Sequence, residues 1–194
     1  MDLIEIDNEI KACHRCHSIV EKFNGSKTVS VGNKNDIVLL GEMPANNGWR
    51  KSGIAWYDIN NNLIPSGKRM ESLLKIIDLD LADTYFLEVI KCYLKDRRYL
   101  NRCYHNCHEY LVKQLMVINP KLVLPLGDVA TKSLLGIKYQ KFSDVAGRVF
   151  TMDNYEVIPI YHPSPMYHDG YRLNEKIFEG VIKEKVKIKR INGD

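Results

Sequence analysis

Ile37-Val38-Leu39-Leu40-Gly41, entered from Asp36 and followed by Glu42-Met43-Pro44, is the stretch on which the fold turns. Its four consecutive branched apolar residues leave no polar face, the pattern of a strand buried on both sides in a parallel sheet, and glycine marks its end. Working outward, three more strand-like runs follow at Thr84 to Cys92, Leu122 to Gly127 and Val157 to Tyr161. Between them lie helical patterns at Met70, Leu73, Leu74 and Ile77, at 107–118 and at 128–135. This alternation predicts an α/β fold, a three-layer α/β/α sandwich around a short, mostly parallel four-stranded sheet. Residues 2–23 read as an N-terminal helix, Gly25 and Gly32 bracket a loop, and a lysine-rich helix runs from Leu173 to Arg190 with its polar face in solvent.

The 194 residues suit one domain spanning 1–194, because a chain of about 150 residues buries a substantial core and two domains would be cramped. No apolar run approaches the roughly 20 residues of a membrane span, and the first residues carry no basic, then apolar, leader. The expectation is a cytoplasmic protein. Its net charge of +4 permits contact with a polyanion without requiring it. Five cysteines, an odd number in such a compartment, argue for metal rather than a disulfide framework. Cys13 and Cys16 form a C-x-x-C pair, and Cys92, Cys103 and Cys107 cluster far downstream. Four thiolates suit zinc and an iron-sulfur cluster equally.

In open parallel sheets ligands bind beyond the carboxyl ends of the strands. The first strand runs into Gly41-Glu42-Met43-Pro44-Ala45-Asn46-Asn47-Gly48 and reaches Ser52-Gly53 and Trp56, a composition for a rigid turn held close to a ligand. The second places Glu88 inside an apolar run, where a carboxylate needs a partner or a changed pKa. The third ends in Gly127-Asp128 at a helix start. The fourth ends in His162-Pro163-Ser164-Pro165-Met166, a histidine held between prolines.

On these residues the sequence resembles the uracil-DNA glycosylase superfamily, in particular its iron-sulfur families four and five. Gly41-Glu42-Met43-Pro44 is similar to the fourth family's opening motif, while Pro44-Ala45-x-x-Gly48 and Ser52-Gly53 look more like the fifth family's. The resemblance implies a DNA glycosylase of base excision repair. It assigns Cys13, Cys16, Cys92 and Cys107 to a 4Fe-4S cluster in preference to zinc, with Cys107 opening a helix and Cys103 spare. It implies that His162 stabilises the departing base, that Glu42 or Asp58 orients water, and that Met43, Trp56 and Glu88 meet the base. Ser164, Pro165, Met166 and Arg172 are implied to touch DNA, with Met166 as a wedge in the duplex. The loop from Tyr93 to Asn106, with Lys95, Arg97, Arg98 and Arg102, is read as facing phosphates or as merely solvated. The implied partner is DNA with a damaged or deaminated base; the protein is expected to be a nucleoid-associated monomer.

Two departures from the family bear on function. Met43 stands where some members carry a water-orienting Asp, and it cannot act as a base. Glu88 stands where the fourth family has an Asn that reads uracil, and an ionised Glu would repel O4 of that base. Either burial holds Glu88 protonated or the preferred base presents donors on that edge. The competing expectations are a catalytically weak iron-sulfur protein that binds uracil-containing or single-stranded DNA, and a zinc-stabilised nucleic-acid adaptor.

Overall fold

The computed structural model describes residues 1–21, 28–33, 37–46 and 48–191, with side chains through residue 187. Residues 22 and 23 of the expected first helix, Gly25, Asp36, Asn47 and the side chain of Arg190 lie outside the described residues. The first helix, α1, is Leu3–Ala12, shorter than expected. Asp2 caps it, accepting from the amides of Ile4 (2.8 Å) and Glu5 (2.9 Å) while Glu5 returns a bond to the Asp2 amide. Past Ala12 the chain turns at His14 to His17 and enters a two-residue strand, β1 (Val20–Glu21), so Cys13 and Cys16 sit on a turn rather than on the helix.

The strand from which the reading began is β2 (Ile37–Gly41), buried along its whole length. A short helix, α2 (Trp49–Ser52), and α3 (Pro65–Lys75) lead to β3 (Tyr85–Glu88). After β4 (Tyr93–Leu94) comes α4 (Leu100–Ile118), which starts about two turns earlier than its apolar pattern, so Cys107 lies inside the helix instead of opening it. Then follow β5 (Leu122–Pro125), α5 (Asp128–Leu135), β6 (Phe150–Thr151), β7 (Glu156–Val157), α6 (His168–Ile177), a π-helical turn at Phe178–Ile182 and α7 (Lys183–Ile191).

The main sheet has five strands in the order β3-β2-β5-β7-β6, parallel except for the antiparallel edge strand β6; β1 and β4 form a separate antiparallel pair. The expected four strands are all present, and the fifth, β6, is too short and too exposed to carry an apolar signature. Period-two alternation divides the core. Ile37 and Leu39 of β2, Phe86 of β3 and Leu122 and Leu124 of β5 face α3, Trp49, Trp56 and Phe178. Val38, Leu40, Leu87 and Val123 face Leu111, Leu115 and Ile118 of α4 and Ala130 of α5. Glu88, two residues beyond Phe86, therefore belongs to the first face, at the end where the strands stop. No described helix is long and apolar enough to cross a membrane.

Candidate active site

A cavity of about 520 Å³ opens at the carboxyl ends of β2, β3 and β5, where parallel-sheet geometry puts ligand sites. Gly41, Glu42 and Met43 come from the β2 exit, Trp49 and Trp56 from the loop beyond it, Phe86 and Glu88 from β3. Arg97, the turn Leu126-Gly127-Asp128 and His162 complete it. Its volume suits a single flat heterocycle with its sugar.

Trp56 holds a left-handed backbone (φ 70°), an outlier for a bulky residue, and such strain persists only where the surroundings enforce it. Two neighbours do so. The Ile64 amide donates to the Trp56 carbonyl at 2.8 Å, and Gly67 leaves room, since a Cβ there would come within 3.1 Å of Trp56. The indole lies 4.4 Å from the Phe86 ring and Trp49 lies 5.2 Å from it, both tilted, so three aromatics form one wall. The sequence pointed to Trp56 alone. Phe86 was legible from its place two residues before Glu88 on the same strand face, and Trp49 from its position among the loop's glycines and asparagines.

His162 follows the β5-to-β7 end contacts, where Gly127 (φ 89°) donates its amide to Ile160 at 2.8 Å and leaves its bare Cα against the histidine Cβ. The stretch is pinned from α6 by buried Asn174, whose amide accepts from the Tyr161 N–H (2.9 Å) and donates to the Tyr161 carbonyl (2.7 Å). His162 presents surface to the cavity yet is crowded by its concave walls, and this desolvation lowers its pKa below 6.5, against the charge of Glu42. The ring is therefore neutral at pH 7, a donor through one nitrogen.

Glu42 is held by Arg97 in a two-point ion pair, Nη1 to Oε1 at 2.7 Å and Nη2 to Oε2 at 3.1 Å. Asp128, also in the wall, pairs with Lys132 at 2.9 Å. Asp58, the other expected water-orienting residue, stands away from the cavity: its carboxylate accepts from the amides of Asn60 and Asn62, both at 2.9 Å, and closes an asparagine-rich turn. Those backbone bonds hold its pKa below the usual carboxylate range. The sequence could not separate a turn-capping Asp from a catalytic one, since both favour such loops. Met43 lines the cavity and its Sδ accepts from the Leu94 amide at 3.5 Å.

Ser164, Pro165 and Met166 cross the rim as an exposed loop, Met166 being 92% exposed at its apex. The loop is stiffened from below: Ser164 donates its amide to His162 O at 2.7 Å, and Arg69 of α3 donates to Ser164 O at 2.6 Å. Arg172 is exposed on α6. The segment expected as a basic loop is β4, a 3₁₀ turn at Arg97–Tyr99 and the start of α4, so Arg102 is helical while Arg97 turns toward the cavity.

Cys13, Cys16, Cys92 and Cys107 together line a second, smaller hollow with His17, Val20, Ile90 and Asn106, all as free thiols. Asn106 donates to Cys16 Sγ at 3.2 Å. Cys103, one turn before Cys107, is fully buried behind them, hydrogen-bonded with Cys16, and burial first of all pushes its thiol up to about 12. Among the described residues, no three His, Cys, Asp or Glu side chains are gathered tightly enough to hold one metal ion. Helix α1 is fastened to α4 by Ile6 and Ile10 against Tyr110 and by Lys113 to Glu9 (2.5 Å), and the turn after it by Arg15 to Glu109 (2.6 Å).

At the strand ends of this α/β sheet one cavity thus gathers an aromatic wall, a histidine and the buried carboxyl of Glu88. Residues 29–184 match the uracil DNA glycosylase superfamily, and the chain belongs to that family. It is 29% identical over 177 residues to the type-4 uracil-DNA glycosylase of Archaeoglobus fulgidus, covering 86% of this chain and 83% of that one. It is 26% identical over 194 residues to that of Thermotoga maritima, covering 97% and 96%. Among solved structures it shares its fold with wild-type SMUG2 of Pedobacter heparinus, at a TM-score of 0.53 and 16% identity over 84% of this chain and 78% of that one.

Proposed function

We propose that the protein is a monofunctional, monomeric DNA glycosylase that hydrolyses the N-glycosidic bond of uracil or a related deaminated base. The observation that carries this reading is His162 facing an aromatic wall and the Arg97-paired Glu42 across one base-sized cavity. A base must leave the stack to enter such a cavity, and the Trp56 and Phe86 rings offer π-faces that replace part of the lost stacking. As the C1′–N bond breaks, its electron pair moves to the base, and the His162 N–H donates to the oxygen where that charge collects. Water adds to C1′. Glu42, oriented by its two bonds from Arg97, accepts a hydrogen bond from that water and its proton as the C–O bond forms. At the rim, Met166 would fill the gap left by the flipped nucleotide, with Ser164, Pro165 and Arg172 toward the strand.

Cys13, Cys16, Cys92 and Cys107 would hold a 4Fe-4S cluster, which when bound supplies a covalent tie between the α1 turn, the β3–β4 connection and α4. One zinc ion draws four sulfurs to about 2.3 Å from a single point, whereas a four-iron cage takes them at separate corners, and thiols spread around a common hollow fit the latter.

Single-turnover cleavage of a uracil oligonucleotide by holo-protein tests the assignment. Abasic product that falls on the order of 100-fold in His162→Ala supports it. Tight binding of the same DNA with no abasic product would instead favour the catalytically weak binder, the reading that Met43 in the cavity wall motivates.

A further inference from the structure

Glu88 lines the cavity at the end of β3 and has no evident function in bond cleavage. It is 5% exposed, and its Oε2 is buried with no hydrogen-bond partner in the protein. The carboxyl lies on the bare Cα of Gly41, its register partner in β2, where a Cβ would overlap it, so the glycine makes the space that the buried carboxyl occupies at the strand end. A buried oxygen with no partner is costly, on the order of the full desolvation of the group, and the cavity is the remaining place from which a partner can come.

The charges around it do not supply one for Oε2. Lys91, in the turn after β3, directs its ammonium to the main-chain oxygen of Glu88 and to Gln114 of α4. Glu42 and Arg97 face the cavity as an ion pair, Asp128 is tied to Lys132, and His162 is neutral. Desolvation raises the Glu88 pKa well above the ordinary carboxylate range; Lys91 opposes this and Glu42 adds to it.

We propose that Glu88 reads the edge of the flipped base as a carboxylic acid, one oxygen donating and the other accepting, so that keto-edged and amino-edged bases are both admitted. This deepens the glycosylase reading above and rests on it. Uracil presents an acceptor at O4 beside a donor at N3, and cytosine presents the reverse, a donor at N4 beside an acceptor at N3. A carboxylic acid meets either pattern by carrying its proton on one oxygen or the other. Once ionised it only accepts, which repels O4 of uracil and N3 of cytosine alike while still taking the N3–H of the one and the amino group of the other. Charge on Glu88 therefore loosens the grip on both edges together, whereas the acid holds both.

The test measures binding of single-stranded oligonucleotides carrying one 2′-fluoroarabino-uridine or -cytidine, sugars whose fluorine slows cleavage, from about pH 5 to about pH 9. Each affinity is taken relative to the same oligonucleotide carrying a tetrahydrofuran abasic site, which cancels pH effects on the backbone contacts. For the wild type the two relative affinities are expected within about threefold of each other at low pH, and both should fall by on the order of tenfold as pH rises, the factor for turning one hydrogen bond into a repulsive contact. In Glu88→Gln, which keeps a donor and an acceptor without titrating, that fall should be absent, whereas the contributions of His162, Lys91 and Glu42 are common to both proteins. Relative affinities that do not fall with pH in the wild type, that fall equally in Glu88→Gln, or that differ by far more than about threefold between the two bases at low pH overturn the inference. If ordinary uracil DNA still yields abasic product in that case, the glycosylase reading survives; no product and no base-dependent binding overturn both.

Discussion

Arg97 and Glu42 meet face to face across the mouth of the cavity, guanidinium to carboxylate through two bonds of 2.7 and 3.1 Å. The pair joins an arginine that is largely exposed to a carboxylate that is largely covered. In the proposed mechanism this pair would tie a cation facing DNA to a base facing C1′. Arg97→Ala is expected to weaken DNA binding and to lower the slope of log affinity against log salt by about one, the signature of one lost phosphate contact. Glu42→Gln should leave that slope in place and cut the single-turnover rate by on the order of 100-fold. Salt-dependent binding and quenched-flow cleavage separate the two.

The protonation of His162 gives a second prediction. Crowding lowers its pKa and the Glu42 charge raises it, so an NMR titration of its ring should show a midpoint below 6.5 in the wild type and lower still in Glu42→Gln. The same shift has a stability consequence. Between the folded midpoint and 6.5 the unfolded chain binds more protons at this site, so stability falls as pH drops through that window.

For Glu88 the sign is opposite. Its folded pKa lies above the unfolded value near 4.5, so above that pH the unfolded chain loses a proton that the native state retains, and stability declines as pH rises. Glu88→Gln removes the titration. Its Tm at pH 8 should exceed that of the wild type, by about 2–4 °C for each kcal/mol gained, and the difference should shrink toward pH 4.5 in thermal scans at matched ionic strength.

Trp56 supports both the fold and the site. Trp56→Ala keeps the left-handed backbone but empties the indole's place beside Phe86, at an expected cost of about 3–5 kcal/mol in denaturant unfolding. Excision measured under folding conditions should slow by roughly 10- to 100-fold, the worth of about 1–3 kcal/mol of stacking on the base.

The cysteines make the cluster assignment checkable by eye. Anaerobically purified protein should absorb in the visible range; Cys16→Ser or Cys92→Ser should lose most of that absorbance together with several degrees of Tm. Cys103→Ser, altering a buried thiol outside the lining of the hollow, should keep the chromophore.

How much of this was legible beforehand varied by element. Ile37 to Gly41, Leu122 to Pro125 and the helix around Leu111 and Leu115 announced themselves, because total burial of a strand or one face of a helix leaves an uninterrupted apolar pattern. The start of α4 did not, since its first turns carry Asn101, Arg102 and Asn106 beside the cysteine hollow and show little apolar period. Nor did the end of α1, where the chain leaves the helix at Cys13 to bring two thiols onto a turn.

By itself the sequence determined the α/β fold, the family motifs and the residues from which a site had to be drawn, because burial and turn chemistry are written in local pattern. Tertiary structure alone decided which of them meet. It removed Asp58 to a surface turn, joined Glu42 to Arg97 across 55 positions, brought Phe86 and Trp49 to the wall and sealed Glu88 against Gly41. The physical reason is that a carboxylate's function depends on its neighbours' charge and on access to water, and both are set by chain segments distant in sequence.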